Sequence, residues 1–446
     1  MSLESRSGHN GANSSFDDVL PASKGKPPLA PRGKSPAQTD SPQSKAAPPH
    51  KPGAWGSWHK NAPHHKRGMS FDSLQDLSAP IPLVPLVRRV VGEGFMLAGL
   101  AVQLLAYLGL GWKWAVNLFR LVLYATLLLP GFLQIVAYYF TSPRVIRSIP
   151  YGRMPRQRLD VYYPPGLLAS PQKTVYPVVI FVTGGAWTIG YKAWGALLAK
   201  RLSDAGVVVA CLDYRNFPQG SATQMLEDVN TGILWVTQRI ITHKGDPDNI
   251  VLVGQSAGGH LGALALIRQA EQTASGKDTV GAFPAWNTSD IRAFVGVSGA
   301  YDLDGLAEHL HQRGLYKSMF GKIMSIDGEP NLTALSPLAA AQGLAEGVCR
   351  VMPRWILIHG TSDKSVPCEG TVEMSRALKA GGVACECHMV PGKTHTSFIL
   401  EGPMCGGRDM LTETVLGTVQ EKVFPYSYPF LCPRFLCDLA GQVCPF

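Results

Sequence analysis

Six short runs of β-branched and aliphatic residues constrain this chain more than any other feature. They read YPVVIFV (176–182), GVVVACL (206–212), NIVLVGQ (249–255), RAFVGV (292–297), RWILIHG (354–360) and ACECHMV (384–390), each stopping at a glycine or a turn. Near-continuous apolar runs of this length suit strands buried on both faces of a parallel sheet. Between them, residues 193–202 and 221–239 read as helices. Strands alternating with helices predict an open, mostly parallel α/β sheet, here over residues 150–423. Such a sheet binds ligands beyond the carboxyl ends of its strands, so the residues just after each run carry the functional information.

Ser256 follows the third run, within Gly254-Gln255-Ser256-Ala257-Gly258. This is G-x-S-x-G between a predicted strand and a predicted helix, the setting of an exposed nucleophile on a strained turn. After the first run stand Thr183, Gly184, Gly185, Ala186 and Trp187. A glycine pair there lets backbone N–H groups turn toward a developing oxyanion, joined by the N–H of Ala257; Ala186 and Gln255 flank the same position. Asp363 follows the fifth run and His395 the sixth. The order Ser256, Asp363, His395 is that of an α/β-hydrolase triad, with roles of nucleophile, orienting carboxylate and general base. Rivals exist in His359, four residues before Asp363, and in His260, on the helix after Ser256; neither stands at a strand end of its own. Acyl transfer to water by such a set needs no metal and no organic cofactor.

Upstream, the composition changes. Residues 1–85 are rich in Pro, Ser and Lys, and such a segment buries too little apolar surface to offset its ordering entropy, so a disordered tether is expected. Residues 86–145 hold two uncharged apolar runs, 94–112 and 121–140. Each is near the ~20 residues that a helix needs to cross a ~30 Å hydrocarbon core. Trp112, Trp114, Tyr138 and Tyr139 stand near the ends of these runs, where interfacial aromatics are expected. Two transmembrane helices are the expectation, with a buried helical hairpin as the alternative.

The net charge of +9 includes Arg88, Arg89, Arg144, Arg147, Arg153, Arg156 and Arg158, which flank the apolar runs. That placement fits a membrane surface and membrane lipids rather than nucleic acid, and the positive-inside rule puts tail and catalytic domain on the cytosolic side. Asn13, Asn287 and Asn331 lie in glycosylation sequons, which would be modified only on a lumenal domain. Nine cysteines without zinc spacing, in a chain with no recognisable signal peptide, point to reduced thiols. For Cys432, Cys437 and Cys444, palmitoylation and no role at all both stay open.

The stretches FVTGGAWTIGYKAWG, ACLDYRNFPQG, GQSAGGH, HGTSDKSVPCE and PGKTHT, with the apolar helices upstream, resemble the plant isoprenylcysteine α-carbonyl methylesterases from about residue 88 to 416. More distantly they resemble the hormone-sensitive-lipase-like carboxylesterases. The resemblance implies an α/β-hydrolase fold, with Ser256, Asp363 and His395 as triad and the substrate carbonyl against Gly184, Gly185 and Ala257. It implies hydrolysis of the methyl ester on a carboxyl-terminal prenylcysteine, reversing the last step of CaaX processing. The substrates would be prenylated, carboxyl-methylated proteins or free prenylcysteine methyl esters, at endoplasmic reticulum and Golgi membranes. A broader carboxylesterase or lipase is the alternative, and a non-catalytic hydrolase-fold receptor is opposed by the presence of His395. Two departures stand out. Residues 424–446 do not resemble the family's final helix, which leaves that helix unaccounted for. The insertion between Ala300 and Arg354 is irregularly amphipathic and reads as a cap over an apolar pocket or as surface packing.

Overall fold

All six expected strands form, and two that the apolar pattern did not announce join them. The computed structural model describes residues 91–92, 95, 112–165, 167, 175–275, 284–313, 317–420 and 428–445. In chain order the sheet strands are β1 (Val145–Pro150), β2 (Arg158–Tyr162), β3 (Tyr176–Val182), β4 (Val208–Leu212), β5 (Gly245–Gln255), β6 (Ile291–Val297), β7 (Arg354–Gly360) and β8 (Cys385–Val390). They lie in the order β1-β2-β4-β3-β5-β6-β7-β8. β2 runs antiparallel to both β1 and β4, and the remaining neighbours are parallel. The antiparallel pair escapes the apolar signature because edge strand β1 carries half-exposed Arg147 and exposed Ser148. Its start at Val145 precedes residue 150, where the domain was expected to begin.

Each face of the sheet is covered by helices. Val178, Ile180 and Val182 of β3 join the layer of α4 (Ala222–Arg239) and α5 (Ala257–Ser275). Val179 and Phe181 join the opposite layer, with α3 (Ala196–Asp204) and α8 (Met410–Gln420). That alternation is the two-residue period of a strand buried on both sides. Leu411, Val415, Leu416 and Val419 of α8 are buried in this second layer. A helix therefore closes this layer before residues 424–446 begin. The tail itself contributes helix α9 (Arg434–Val443) and buries Cys432, Cys437, Ala440 and Cys444. All nine cysteines are free thiols.

Residues 121–140 do not form a single helix, and the kink expected at Pro130 is a break just before it. The chain builds α1 (Trp112–Leu127) and α2 (Leu129–Thr141), bent by 68°. Pro130 lies in the first turn of α2, where its missing N–H costs no intrahelical bond, and the turn at Leu128 absorbs the bend. Among the described residues no single helix is long and apolar enough to cross a membrane. One side of the bent pair is buried in protein instead: Tyr124, Leu128, Ile135, Tyr139 and Phe140 pack in the same layer as α3 and α8. Tyr139 Oη donates to Asp160 Oδ2 at 2.8 Å, and the buried Lys192 ammonium lies 3.1 Å from Asp160 Oδ1. The expected tail 1–85 and, but for Phe95 and Trp112, the expected span 94–112 lie outside the described residues.

Candidate active site

Ser256 occupies the turn between β5 and α5 with φ of 53°, a left-handed conformation that non-glycine residues rarely adopt. Its N–H is held by Val297 O of β6 at 2.9 Å, which helps fix the turn. Both glycines of the motif answer to close backbone approach. A Cβ on Gly258 would lie 2.1 Å from Val182 O, and one on Gly254 2.5 Å from Gly258 O. Ala257 opens α5, so its N–H is among the first-turn donors that have no intrahelical partner.

The loop after β3 is equally constrained. Gly185 has φ of +126°, and Ala186 and Trp187 both adopt positive φ, at 48° and 59°. A Cβ on Gly184 would stand 2.9 Å from Ser256 Cβ and 2.2 Å from Gln255 Oε1, so this glycine lies directly against the serine turn. Several bonds hold the loop: Tyr214 Oη donates to Thr183 O at 2.9 Å, Asn216 Nδ2 donates to Gly190 O at 2.8 Å, and Arg156 also donates to Gly190 O. Asp213 accepts from Arg156 at 2.8 Å; burial pushes its carboxyl up to about 7, against the pull of Arg156 and Lys192. Asp213, Tyr214 and Asn216 were not singled out from the sequence, although they directly follow β4 and the strand-end rule applied to them as well.

Asp363 and His395 meet at the ends of β7 and β8, with Nδ1 of His395 2.7 Å from Oδ2 of Asp363. The carboxylate has four donors. His395 and His359 share Oδ2, the latter at 3.0 Å, and the backbone N–H groups of Ser365 and Val366 reach Oδ1 at 2.8 and 2.9 Å. Burial of Asp363 opposes ionisation, but the His395 charge and the hydrogen bonds from both imidazoles outweigh it and hold the carboxyl well below its usual range. With Nδ1–H donated to Asp363, Nε2 of His395 is the acceptor nitrogen. Gln255 Nε2 donates to it at 3.3 Å, so the residue beside Ser256 bridges to the histidine.

The two rival histidines have other places. His359 is fully buried and presents Nε2–H to both Asp363 and Val366 O (3.1 Å), with Nδ1 taken by Thr371 Oγ1 at 2.6 Å. It therefore braces the carboxylate, a part that its place four residues before Asp363 did not reveal. His260 accepts from Trp187 Nε1 at 3.1 Å and donates to Leu335 O at 2.8 Å, tying the glycine loop to the insertion; burial pushes its pKa down to about 4. The insertion is packed rather than loose. Phe320, Ile323, Met324, Leu335 and Leu338 are buried, and the Phe320 ring lies edge-on to Trp187 at 5.7 Å. No group of three or more His, Cys, Asp or Glu side chains suited to a metal occurs among the described residues.

Residues 159–378 match the family model described as BD-FAE. An isoprenylcysteine alpha-carbonyl methylesterase of Arabidopsis thaliana is 41% identical over 370 residues, covering 81% of this chain and 84% of that protein. A probable isoprenylcysteine alpha-carbonyl methylesterase of Oryza sativa subsp. japonica is 43% identical, covering 75% and 78%. The chain belongs to the isoprenylcysteine α-carbonyl methylesterase family. Esterase LipC of Mycobacterium tuberculosis is more distant, 31% identical over 58% of this chain and 62% of its own length. As a member of the methylesterase family the chain is a carboxylic ester hydrolase. The family match also covers α1 and α2, since 81% coverage cannot be reached within the sheet domain alone.

Proposed function

We propose that this protein hydrolyses the methyl ester of carboxyl-terminal isoprenylcysteine through a Ser256 acyl-enzyme. His395 Nε2 takes the Ser256 proton as Oγ attacks the ester carbonyl, and Asp363 stabilises the imidazolium through Nδ1–H. The oxyanion collects N–H groups of the Gly184–Gly185 loop and of Ala257. Collapse expels methoxide, which leaves as methanol with the proton from His395. Water then enters, gives its proton to the same nitrogen and releases the free carboxylate. The observation that carries this reading is that Ser256 holds a left-handed turn while its neighbour Gln255 bonds Nε2 of His395, whose Nδ1 meets Asp363, in a chain of this family. The intact His395–Asp363 pair speaks against a receptor role without catalysis.

The substrate partners would be prenylated, carboxyl-methylated proteins or prenylcysteine methyl esters. A prenyl chain is held at membranes, and the enzyme would meet it there, at the endoplasmic reticulum and Golgi with the catalytic domain cytosolic. Supporting this, α1 exposes Val116, Phe119 and Val122, α2 exposes Leu129, Leu133 and Val136, and the carboxyl-terminal segment exposes Phe430, Phe435 and Leu439. Apolar surface of this extent marks protein or lipid contact. Exposed Asn287 and Asn331 report on sidedness: a cytosolic domain leaves both without glycan, and glycosylation at either places it in the lumen.

Substrate choice is tested with a panel. Turnover of farnesylcysteine and geranylgeranylcysteine methyl esters is compared with that of p-nitrophenyl acetate and butyrate. A kcat/KM at least tenfold higher for the prenylcysteine esters supports the proposal; equal or better turnover of the simple esters reduces it to a general carboxylesterase.

A further inference from the structure

The triad is nearly closed: Ser256 and His395 are each only 8% exposed. The described residues around it include an unexpected neighbour, the segment Val443–Pro445 at the end of α9. Three successive main-chain carbonyls of this segment are held by two guanidinium groups. Arg120 of α1 donates from Nε to Val443 O at 3.1 Å and from Nη2 to Cys444 O at 3.0 Å. Arg313, which ends α6 (Leu303–Gln312), donates from Nη2 to Pro445 O at 3.1 Å. The backbone leaves the helix at Cys444, with φ of −50° and ψ of 124°. The Cys444 side chain is fully buried, its Sγ 3.5 Å from Oγ1 of Thr396, the residue after His395. Tyr124 Oη of α1 meets the same hydroxyl at 3.0 Å. Burial lowers the Arg313 guanidinium while the Asp363 carboxylate pulls it back up, so this arginine also stands within reach of the triad's field.

Donors aimed at consecutive carbonyls read a polypeptide by its main chain, so the identity of the side chains is secondary. We propose that the cleft between α1, α6 and the His395 loop is a subsite for an extended polypeptide segment, gripped by Arg120 and Arg313, which residues 443–445 occupy in cis and which the peptide leading to a substrate's prenylcysteine must displace. This deepens the proposed function and rests on an ester borne at the carboxyl end of a polypeptide. A peptide-borne ester competes with the enzyme's own segment, whereas a small ester that needs no peptide contact does not.

The direct test uses a variant ending at Val443, alongside the full chain, with p-nitrophenyl butyrate and a farnesylated tetrapeptide methyl ester as substrates. Removing the occupant is expected to lower KM for the peptide ester at least fivefold, while KM for p-nitrophenyl butyrate moves less than twofold. The synthetic peptide DLAGQVCPF, residues 438–446, is expected to bind the shortened enzyme and to inhibit the peptide ester competitively. Arg313→Gln in the shortened chain is expected to reverse the gain in KM. Equal changes for both substrates, or no binding of the synthetic peptide by a shortened enzyme of unchanged Tm, would overturn the subsite. Should the shortened chain not fold, amide hydrogen exchange on the full chain decides. Exchange in residues 441–446 is expected to accelerate when a farnesylated tetrapeptide methylamide binds, and unchanged protection at saturating ligand refutes the displacement. If no prenylcysteine ester is turned over while DLAGQVCPF still binds the shortened chain, the substrate assignment fails and the cleft stands.

Discussion

Replacing Asp363 with asparagine probes the site at the point where its hydrogen bonds are most fully specified. The carboxylate receives His395 and His359 on Oδ2 and two backbone N–H groups on Oδ1. An amide has one accepting end. With its nitrogen toward the imidazoles it faces two donors, and with its oxygen there it faces Ser365 N–H and Val366 N–H. Either rotamer leaves two buried donors opposed, at about 1–3 kcal/mol each, so the variant should lose roughly 2–6 kcal/mol of stability. The chemical consequence is larger. If the amide nitrogen faces His395, the imidazole must accept at Nδ1 and carry its proton on Nε2, where it cannot take the Ser256 proton. A loss of about 10⁴ in kcat is expected, as for a triad histidine held in the wrong tautomer; by about 1.36 kcal/mol per tenfold that is roughly 5 kcal/mol of barrier. The assay is kcat for p-nitrophenyl butyrate at neutral pH, on protein shown to be folded by its thermal transition. A folded Asp363→Asn enzyme within tenfold of wild type would refute the reasoning, because the carboxylate would then not be setting the tautomer of His395.

Other perturbations report on the supporting structure. Gly184→Ala places a methyl 2.9 Å from Ser256 Cβ and 3.0 Å from Gln255 O, so the turn must shift; kcat should fall by about 10², with about 1–3 kcal/mol of stability, read by kinetics and calorimetry. Tyr139→Phe leaves the buried Asp160 with one donor fewer at the base of α2 and should lower stability by about 1–3 kcal/mol, measured by urea unfolding. His243, buried and bonded to Tyr163 Oη at 2.5 Å, has its pKa pushed down to about 4 by burial. A histidine whose folded pKa lies below its unfolded one, near 6.5, lends stability that is present above pH ~6.5 and is lost as pH falls toward 4. Between those limits wild type should therefore lose roughly 3 kcal/mol more than His243→Gln, and parallel stability profiles would count against this.

What was legible in the sequence follows from burial. β3 through β7 lie inside the sheet, and buried strands tolerate little but aliphatic residues, so their ends marked Gly184, Ser256 and Asp363 at once, while His395 follows the half-buried edge strand β8. β1 was not legible because an edge strand needs only one apolar face and Arg147 and Ser148 break even that, and interior β2 was not because its five residues RLDVY bury the charged Asp160. Residues 121–140 left lipid and protein both open as cover for a related reason. Hydropathy records that a segment avoids water, not whether lipid or protein covers it, and here Tyr124, Leu128, Ile135, Tyr139 and Phe140 meet the hydrolase layer. The brace from His359 and the clamp on Gly190 by Arg156 and Asn216 were hidden because each depends on where the chain folds back. The arginines that hold residues 443–445 are more remote still, more than 130 positions away from the carbonyls they reach.

Whether Ser256 attacks a prenylcysteine methyl ester is read from methanol release from N-acetyl-S-farnesylcysteine methyl ester by wild type and by Ser256→Ala. Removing Oγ leaves a smaller side chain in the same turn, so the thermal transition should stay within a few degrees. Wild type should release methanol steadily, and the variant at least about 10³ more slowly. Methanol release by folded Ser256→Ala at a rate near that of wild type would contradict attack by Ser256.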